Sequence, residues 1–318
     1  MGGEIGADDV DVIGADAYPE LGFEQCTREA LAELASRHGV DFATTLFYDR
    51  VRRAPRNREL VEAIERPADP VAAPRRVRGR VLIAPALFYR ERPDIGGDGM
   101  AIQRAARAAG LEVEVLPVDS AGTAHENGIR LRTLLAERCT DRTVLVSLSK
   151  GAADVRVALD SMPPPPGLRA WVIVSGLLHG TPAIDQLMRR WWRRWGLRLL
   201  LARYRAPFEL AHEFSAEGPS PLNRPALAPE GLLVINLFGC PLSDHLGTRF
   251  GRRRHRELAH LGPNDGLTLL RDAIVEPGLA YPLWGADHYF RTAEVPRVLA
   301  RLIAFLVERN CFFVEPSV

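Results

Sequence analysis

The sequence predicts an α/β fold: a mostly parallel, doubly wound sheet with a helical lid insertion and an N-terminal helical extension. Three observations carry this expectation. From Gly79 onward, short apolar runs alternate with amphipathic helical stretches, the order that builds a sheet with helices on both faces. The runs are rich in Val, Ile and Leu without a polar alternation, as strands covered on both sides require. Late in the chain about fifty residues separate two such runs, far more than a connection needs.

In chain order, residues 1 to 20 are rich in Gly and Asp and read as a mobile segment. Phe23, Cys26, Ala30 and Leu34, then Phe42 and Leu46, recur at helical spacing, so residues 21 to 65 form two or three short helices. The segment from Arg66 to Arg76 repeats proline, which denies both helix and central strand, and reads as a linker. A unit of 79-318 then follows an extension of 1-78. Strands are expected at 81–86, 111–118, 143–147, 170–175 and 231–237, with a weaker one at 279–283. Helices are expected at 100–109, ended by Gly110, at 124–138, at 151–159 and at 294–308. The Gly96-Gly97-Asp98-Gly99 stretch lacks the Lys-Ser/Thr ending of a phosphate loop, and Asp98 caps the helix that follows.

The insertion, about 178-229, carries Ile184, Leu187, Met188, Trp191 and Trp195 at helical intervals, opposite Arg189, Arg190, Arg193 and Arg194. This pattern suits a lid whose tryptophan face, Trp191 and Trp195, covers an acyl pocket or touches a lipid interface transiently. It suits equally a surface helix packed on the core with its arginines in water.

Composition narrows the function classes. The 318 residues carry a net charge of +1, so the whole-molecule field attracts neither nucleic acid nor membranes, and no nucleic-acid partner is expected. The four cysteines are scattered, with no CxxC pair and no Cys/His cluster, so no metal or other cofactor is expected. The acidic N-terminus is unlike a secretory signal, and no apolar run reaches the length of a membrane span. A cytoplasmic protein with reduced thiols is expected.

Chemistry in a doubly wound sheet gathers at the carboxyl ends of its strands. Ser149, in Ser147-Leu148-Ser149-Lys150-Gly151, sits between the strand at 143–147 and the next helix. A turn this sharp needs small residues on both sides, and Ser147 and Gly151 are small. The amide of Lys150 opens the helix, where it can donate to an oxyanion. Lys150 is the only lysine in the chain, and a helical pair with Asp154 accounts for it equally well.

The order of motifs over residues 79 to 318 resembles bacterial lipases and esterases of the α/β-hydrolase superfamily. The carrying segments are Ser147–Gly151, Leu178-His179-Gly180-Thr181-Pro182, Gly262-Pro263-Asn264-Asp265-Gly266-Leu267 and Ala286-Asp287-His288-Tyr289. The resemblance implies Asp265 as the acid and His288 as the base for Ser149, in the superfamily's order. It also implies a second oxyanion donor after the first core strand, which maps onto the Leu87 amide. Ser147 and Ala86 stand where relatives carry glycine. Asn264-Asp265-Gly266 also reads as a plain turn, Asp244 is a reserve acid, and His179, His245, His255 and His260 are alternative bases. His179 is read as shaping the lid entrance and Asp287 as a cap.

Three functions fit. The first is hydrolysis of a carboxylic ester through an acyl-serine intermediate, with a small-molecule acyl ester or thioester as substrate. The second keeps the triad but transfers the acyl group or releases a thioester in a biosynthetic pathway. The third is a catalytically idle relative that binds a ligand or a protein. A helical extension at the N-terminus also suits a homo-oligomer contact.

Overall fold

The computed structural model describes residues 18–67 and 77–314. The expected linker, 66 to 76, and the Gly- and Asp-rich start fall largely outside these residues. The elements, in order, are α1 (Arg28–His38), α2 (Val40–Arg53), α3 (Arg58–Glu65), β1 (Arg80–Ala84), α4 (Met100–Ala108) and β2 (Glu112–Val115). Then come α5 (Ala124–Arg138), β3 (Thr143–Leu148), α6 (Lys150–Leu159), β4 (Leu168–Val174), α7 (Pro182–Met188), α8 (Trp191–Arg203) and α9 (Glu209–Glu213). The chain closes with β5 (Leu233–Cys240), α10 (Arg249–Leu258), β6 (Leu279–Trp284) and α11 (Val295–Glu308).

Six strands form one sheet in the order β2-β1-β3-β4-β5-β6, in which every neighbouring pair is parallel, and a separate short pair, Val77–Arg78 with Phe313–Val314, runs antiparallel. The strand at 111–118 is shorter than expected and ends at Val115: the Leu116 amide still donates to Ile83 of β1, but that of Val118 turns back to the Leu116 carbonyl. The apolar runs are buried throughout on β1 and on β3 up to Ser147. One face packs on α3, α4 and α11 through Ile64, Ala106, Leu302 and Phe305. The other packs on α5 and α6 through Leu131, Leu135, Val155 and Leu159.

The N-terminal helices share this core. Phe47 of α2 stacks on Phe238 of β5, ring centroids 6.1 Å apart. Asn57, fully buried, donates to the Val51 carbonyl at 2.7 Å and accepts the Ala280 amide of β6 at 2.9 Å. One side chain thus ties the turn after α2 to β6.

The residues between β4 and β5 carry α7, α8 and α9 above the carboxyl ends of the strands. Their base is fastened by Arg156 of α6, whose buried guanidinium donates to the carbonyls of Leu178, Leu222, Arg224 and Pro225. The first of these carbonyls begins the insertion and the other three end it. Gly180 lies beside Phe214, where a Cβ would come within 2.9 Å of its carbonyl oxygen, and its φ is +69°. Among the described residues no helix is long and apolar enough to cross a membrane.

Candidate active site

Ser149 stands between β3 and α6 with φ 48° and ψ −116°, a conformation costly for a side-chain-bearing residue. The surroundings impose it. The Ser149 amide donates to Val174 of β4, and its carbonyl accepts from Ala152 and Leu177. A Cβ on Gly151 would lie 2.5 Å from the carbonyl oxygens of both Ala84 and Pro85, so only glycine lets the helix start approach β1. Ser147 is accommodated by a partner: its Oγ accepts the indole N–H of Trp171 on β4 at 2.8 Å, inside the core.

Three predicted residues meet. Ser149 Oγ lies 2.9 Å from His288 Nε2, and His288 Nδ1 lies 2.8 Å from Asp265 Oδ2. Asp265 is held by its own turn, since Oδ1 accepts the amides of Leu267 and Thr268 at 2.9 and 2.7 Å. Asn264 bridges the same turn, accepting from the Gly266 amide and donating to the Gly262 carbonyl. The turn expected at Asn264-Asp265-Gly266 is present, and it sets the Asp265 carboxylate against His288. The His288 loop reaches β5 because Gly239 has no side chain; a Cβ there would sit 2.2 Å from the Ala286 oxygen. Burial of His288 works against its charged form, but Asp265, with help from Asp287, outweighs it and raises the pKa above the usual 6.5. Asp287 caps the following turn through the Tyr289 amide.

The other candidates lie apart. His245 accepts the Leu242 amide and faces Trp284 edge-on. His255 is fully buried with no hydrogen-bond partner on either ring nitrogen, and burial lowers its pKa. His179 is pushed down to about 4 by burial and by Arg156. Neither these, nor His260, nor Asp244 bonds to Ser149 or His288 among the described residues.

Beside Ser149 two amides are open. The Lys150 amide is the first of α6 and has no helical acceptor. The amides flanking Leu87 are engaged, Ala86 with Gly97 and Phe88 with Ser120, both at 2.8 Å, while that of Leu87 has no acceptor among the described residues. A buried polar network joins these two places. Lys150 Nζ lies 2.7 Å from Asp154 Oδ1, Asp154 Oδ2 accepts from Asn127 at 2.9 Å, and Asn127 spans the Asp119 amide and carbonyl. The next residue, Ser120, receives the Phe88 amide. Burial pushes the Asp154 carboxyl up to about 6, against the pull of Lys150 and Asn127.

Ser149, Lys150, Leu87 and His288 open into a cavity of about 660 Å3 between the strand ends and α7–α9, within the range of small-molecule sites. Its walls are mostly apolar, with Phe88, Leu177, Leu201 and Phe214 among them. Trp191 and Trp195 do not line it. The helix presents Leu197 and Leu201 inward instead, and Trp192 reaches the cavity edge with Phe250 of α10. Spacing along the helix located the apolar side chains, but two apolar arcs compete on α8 and only packing decides which one faces in. Trp171 and Asn127 escaped sequence reasoning, since each acts through a partner distant in the chain, whereas the helical pair of Lys150 with Asp154 was expected and forms. Among the described residues no group of three or more His, Cys, Asp or Glu side chains is placed to hold a metal ion.

No protein-family model matches the chain, and no curated protein matches it in sequence. Solved structures do. The metagenomic carboxyl esterase MGS0156 superposes with a TM-score of 0.53 at 19% identity, over 77% of this chain and 80% of that one. The Bacillus licheniformis lipase BlEst2 in mature form gives 0.50 at 17% identity, over 77% of this chain and 96% of that one. In propeptide form the same lipase gives 0.51 at 18% identity, over 79% of this chain and 54% of that one. The parallel six-stranded sheet, the strand-to-helix turn at Ser149 and these likenesses together identify the chain as one with the α/β-hydrolase fold.

Proposed function

We propose that the protein is a serine hydrolase that cleaves carboxylic esters of apolar acyl groups through an acyl-Ser149 intermediate. The observation that carries this reading is the unbroken series Ser149, His288, Asp265, with contacts of 2.9 and 2.8 Å and a serine held at positive φ. Ser149 Oγ attacks the carbonyl carbon while His288 Nε2 takes its proton. Asp265 keeps the other ring nitrogen protonated and stabilises the imidazolium. The oxyanion that forms is met by the amides of Lys150 and Leu87. Collapse expels the alcohol, which leaves with the proton from His288. Water then attacks the acyl carbon, His288 again takes and returns a proton, and the carboxylic acid departs.

The acyl group occupies the apolar cavity, with the residues 178–229 acting as its lid. A fluorophosphonate probe tests the proposal: it modifies Ser149 in the folded wild type and leaves Ser149→Ala unmodified. Wild-type protein that resists the probe and turns over no nitrophenyl ester would overturn it. Comparing esters and acyl thioesters of graded length then separates ester hydrolysis from thioester release.

A further inference from the structure

Helix α8 presents a row of large apolar side chains to water. Trp191, Trp195 and Leu199 recur every fourth residue and are 75%, 59% and 69% exposed. Trp192, Leu200 and Phe250 continue the patch to the cavity mouth. The buried side of the helix is already supplied by Leu197 and Leu201, so this second apolar arc has no role in holding α8 on the protein. A contiguous apolar patch of this kind marks a contact surface.

The charge around the patch points to what covers it. Residues 186 to 208 contain seven arginines and no Asp or Glu. Arg189 pairs with Glu217 and Arg193 with Glu257. Among the described residues no carboxylate pairs with Arg190, Arg194, Arg198 or Arg203. Arg194 and Arg198 lie over the Phe208 ring, at 5.7 and 4.5 Å, along one flank of the apolar row. Across the cavity mouth α10 adds Arg249, Arg252 and Arg256, while Arg253 and Arg254 share Glu257 with Arg193. Net charge is +1 for the whole chain, so this basic concentration is local.

We propose that α8, with α10 beside it, docks the protein on an anionic lipid bilayer, with the cavity mouth facing the membrane. The proposal rests on the acyl-ester reading for the direction of substrate entry, though not for the contact itself. Tryptophan and leucine seat at the boundary between headgroups and acyl chains, and arginines beside them meet anionic headgroups. The patch is a convex helix side, suited to a deformable lipid surface. Trp192, Leu200 and Phe250 belong both to the exposed patch and to the cavity lining, which gives a lipid chain an apolar way from bilayer to cavity.

The test is sedimentation of the intact protein with vesicles of phosphatidylcholine alone or with one third phosphatidylglycerol, with tryptophan emission recorded on the same samples. Binding is expected to the mixed vesicles, at least about 10-fold tighter than to phosphatidylcholine, with a blue shift and weakening at high salt. Arg198→Gln should weaken it about 5-fold and Leu199→Asn by a similar factor, with hydrolysis of a short soluble ester unchanged. Equal binding to both vesicle types overturns the anionic assignment. Absence of vesicle binding with soluble-ester activity intact overturns the docking proposal and leaves the hydrolase reading standing. Concentration-dependent dimers lost in Leu199→Asn, or binding to polyglutamate as tight as to vesicles without a blue shift, would assign the patch to a second copy or to an acidic protein. Vesicle binding by a protein that resists fluorophosphonate would separate the two proposals in the other direction.

Discussion

The elbow at Ser149 and helix α8 above it lie on opposite sides of one cavity and are built in opposite ways. Around the elbow, polar groups are matched one to one: Ser147 with Trp171, Lys150 with Asp154, Asp154 with Asn127, Asp265 with its own turn. Glycines at 151 and 239 let backbones approach to distances that any side chain would block. On α8 the largest side chains, Trp191, Trp192 and Trp195, stand half or more exposed. The difference separates two demands. Bond making needs groups held in place before the substrate arrives, whereas a surface that engages something external must leave its contacts unmade.

Changes at the elbow should therefore be severe and changes on the outer face of α8 mild. The largest effect is expected from Asp265→Asn, which disorders the His288 tautomer and should lower kcat by about 10^4-fold while leaving the fold intact by circular dichroism. Lys150→Met strands the buried Asp154 and should cost about 3 to 5 kcal/mol in urea denaturation. The double variant Lys150→Met/Asp154→Leu removes both charges and should recover most of that stability. If the network also aims the two oxyanion amides, kcat stays depressed in the double variant with KM little changed; full recovery of kcat would make the pair purely structural. Gly151→Ala places a methyl against two carbonyl oxygens and should destabilise by about 1 to 3 kcal/mol.

A gentler probe is pH. The base must be neutral to accept the Ser149 proton, and His288 has a pKa raised above 6.5. The acid limb of kcat/KM should therefore have its midpoint above 6.5, activity falling as pH drops through it. A midpoint below 6.5 would mean that burial, not Asp265, dominates at the ring. The smallest effect is expected at Trp195→Ser, within about 0.5 kcal/mol of wild type in thermal or urea unfolding. A loss as large as that at Lys150 would erase the contrast between the two regions.

How much of this was legible in the sequence follows the range of the interactions. Strands and helices were readable because apolar runs and helical spacing are local; the helix at 124–138 matches α5 at both ends. Ser149 stood out by its place between a strand and a helix, and Asp265 and His288 by the resemblance of their short segments to bacterial lipases and esterases; the fold brings the three together. Asn127 was invisible, since it gains a role only when α5 packs on α6 and brings it to Asp154. Trp171 reads as an ordinary strand residue until Ser147 is seen opposite its indole. The orientation of α8 was missed because both candidate faces are apolar, and hydrophobicity alone does not rank them.

Arg156 has a consequence of another kind. By gathering carbonyls from both ends of the insertion at one buried guanidinium, it fixes where that segment leaves the sheet and where it returns. What lies between can then change in length or composition without altering the path of β4 or the elbow at its side. Such a fastening mechanically uncouples the region above Ser149 from the sheet beneath it.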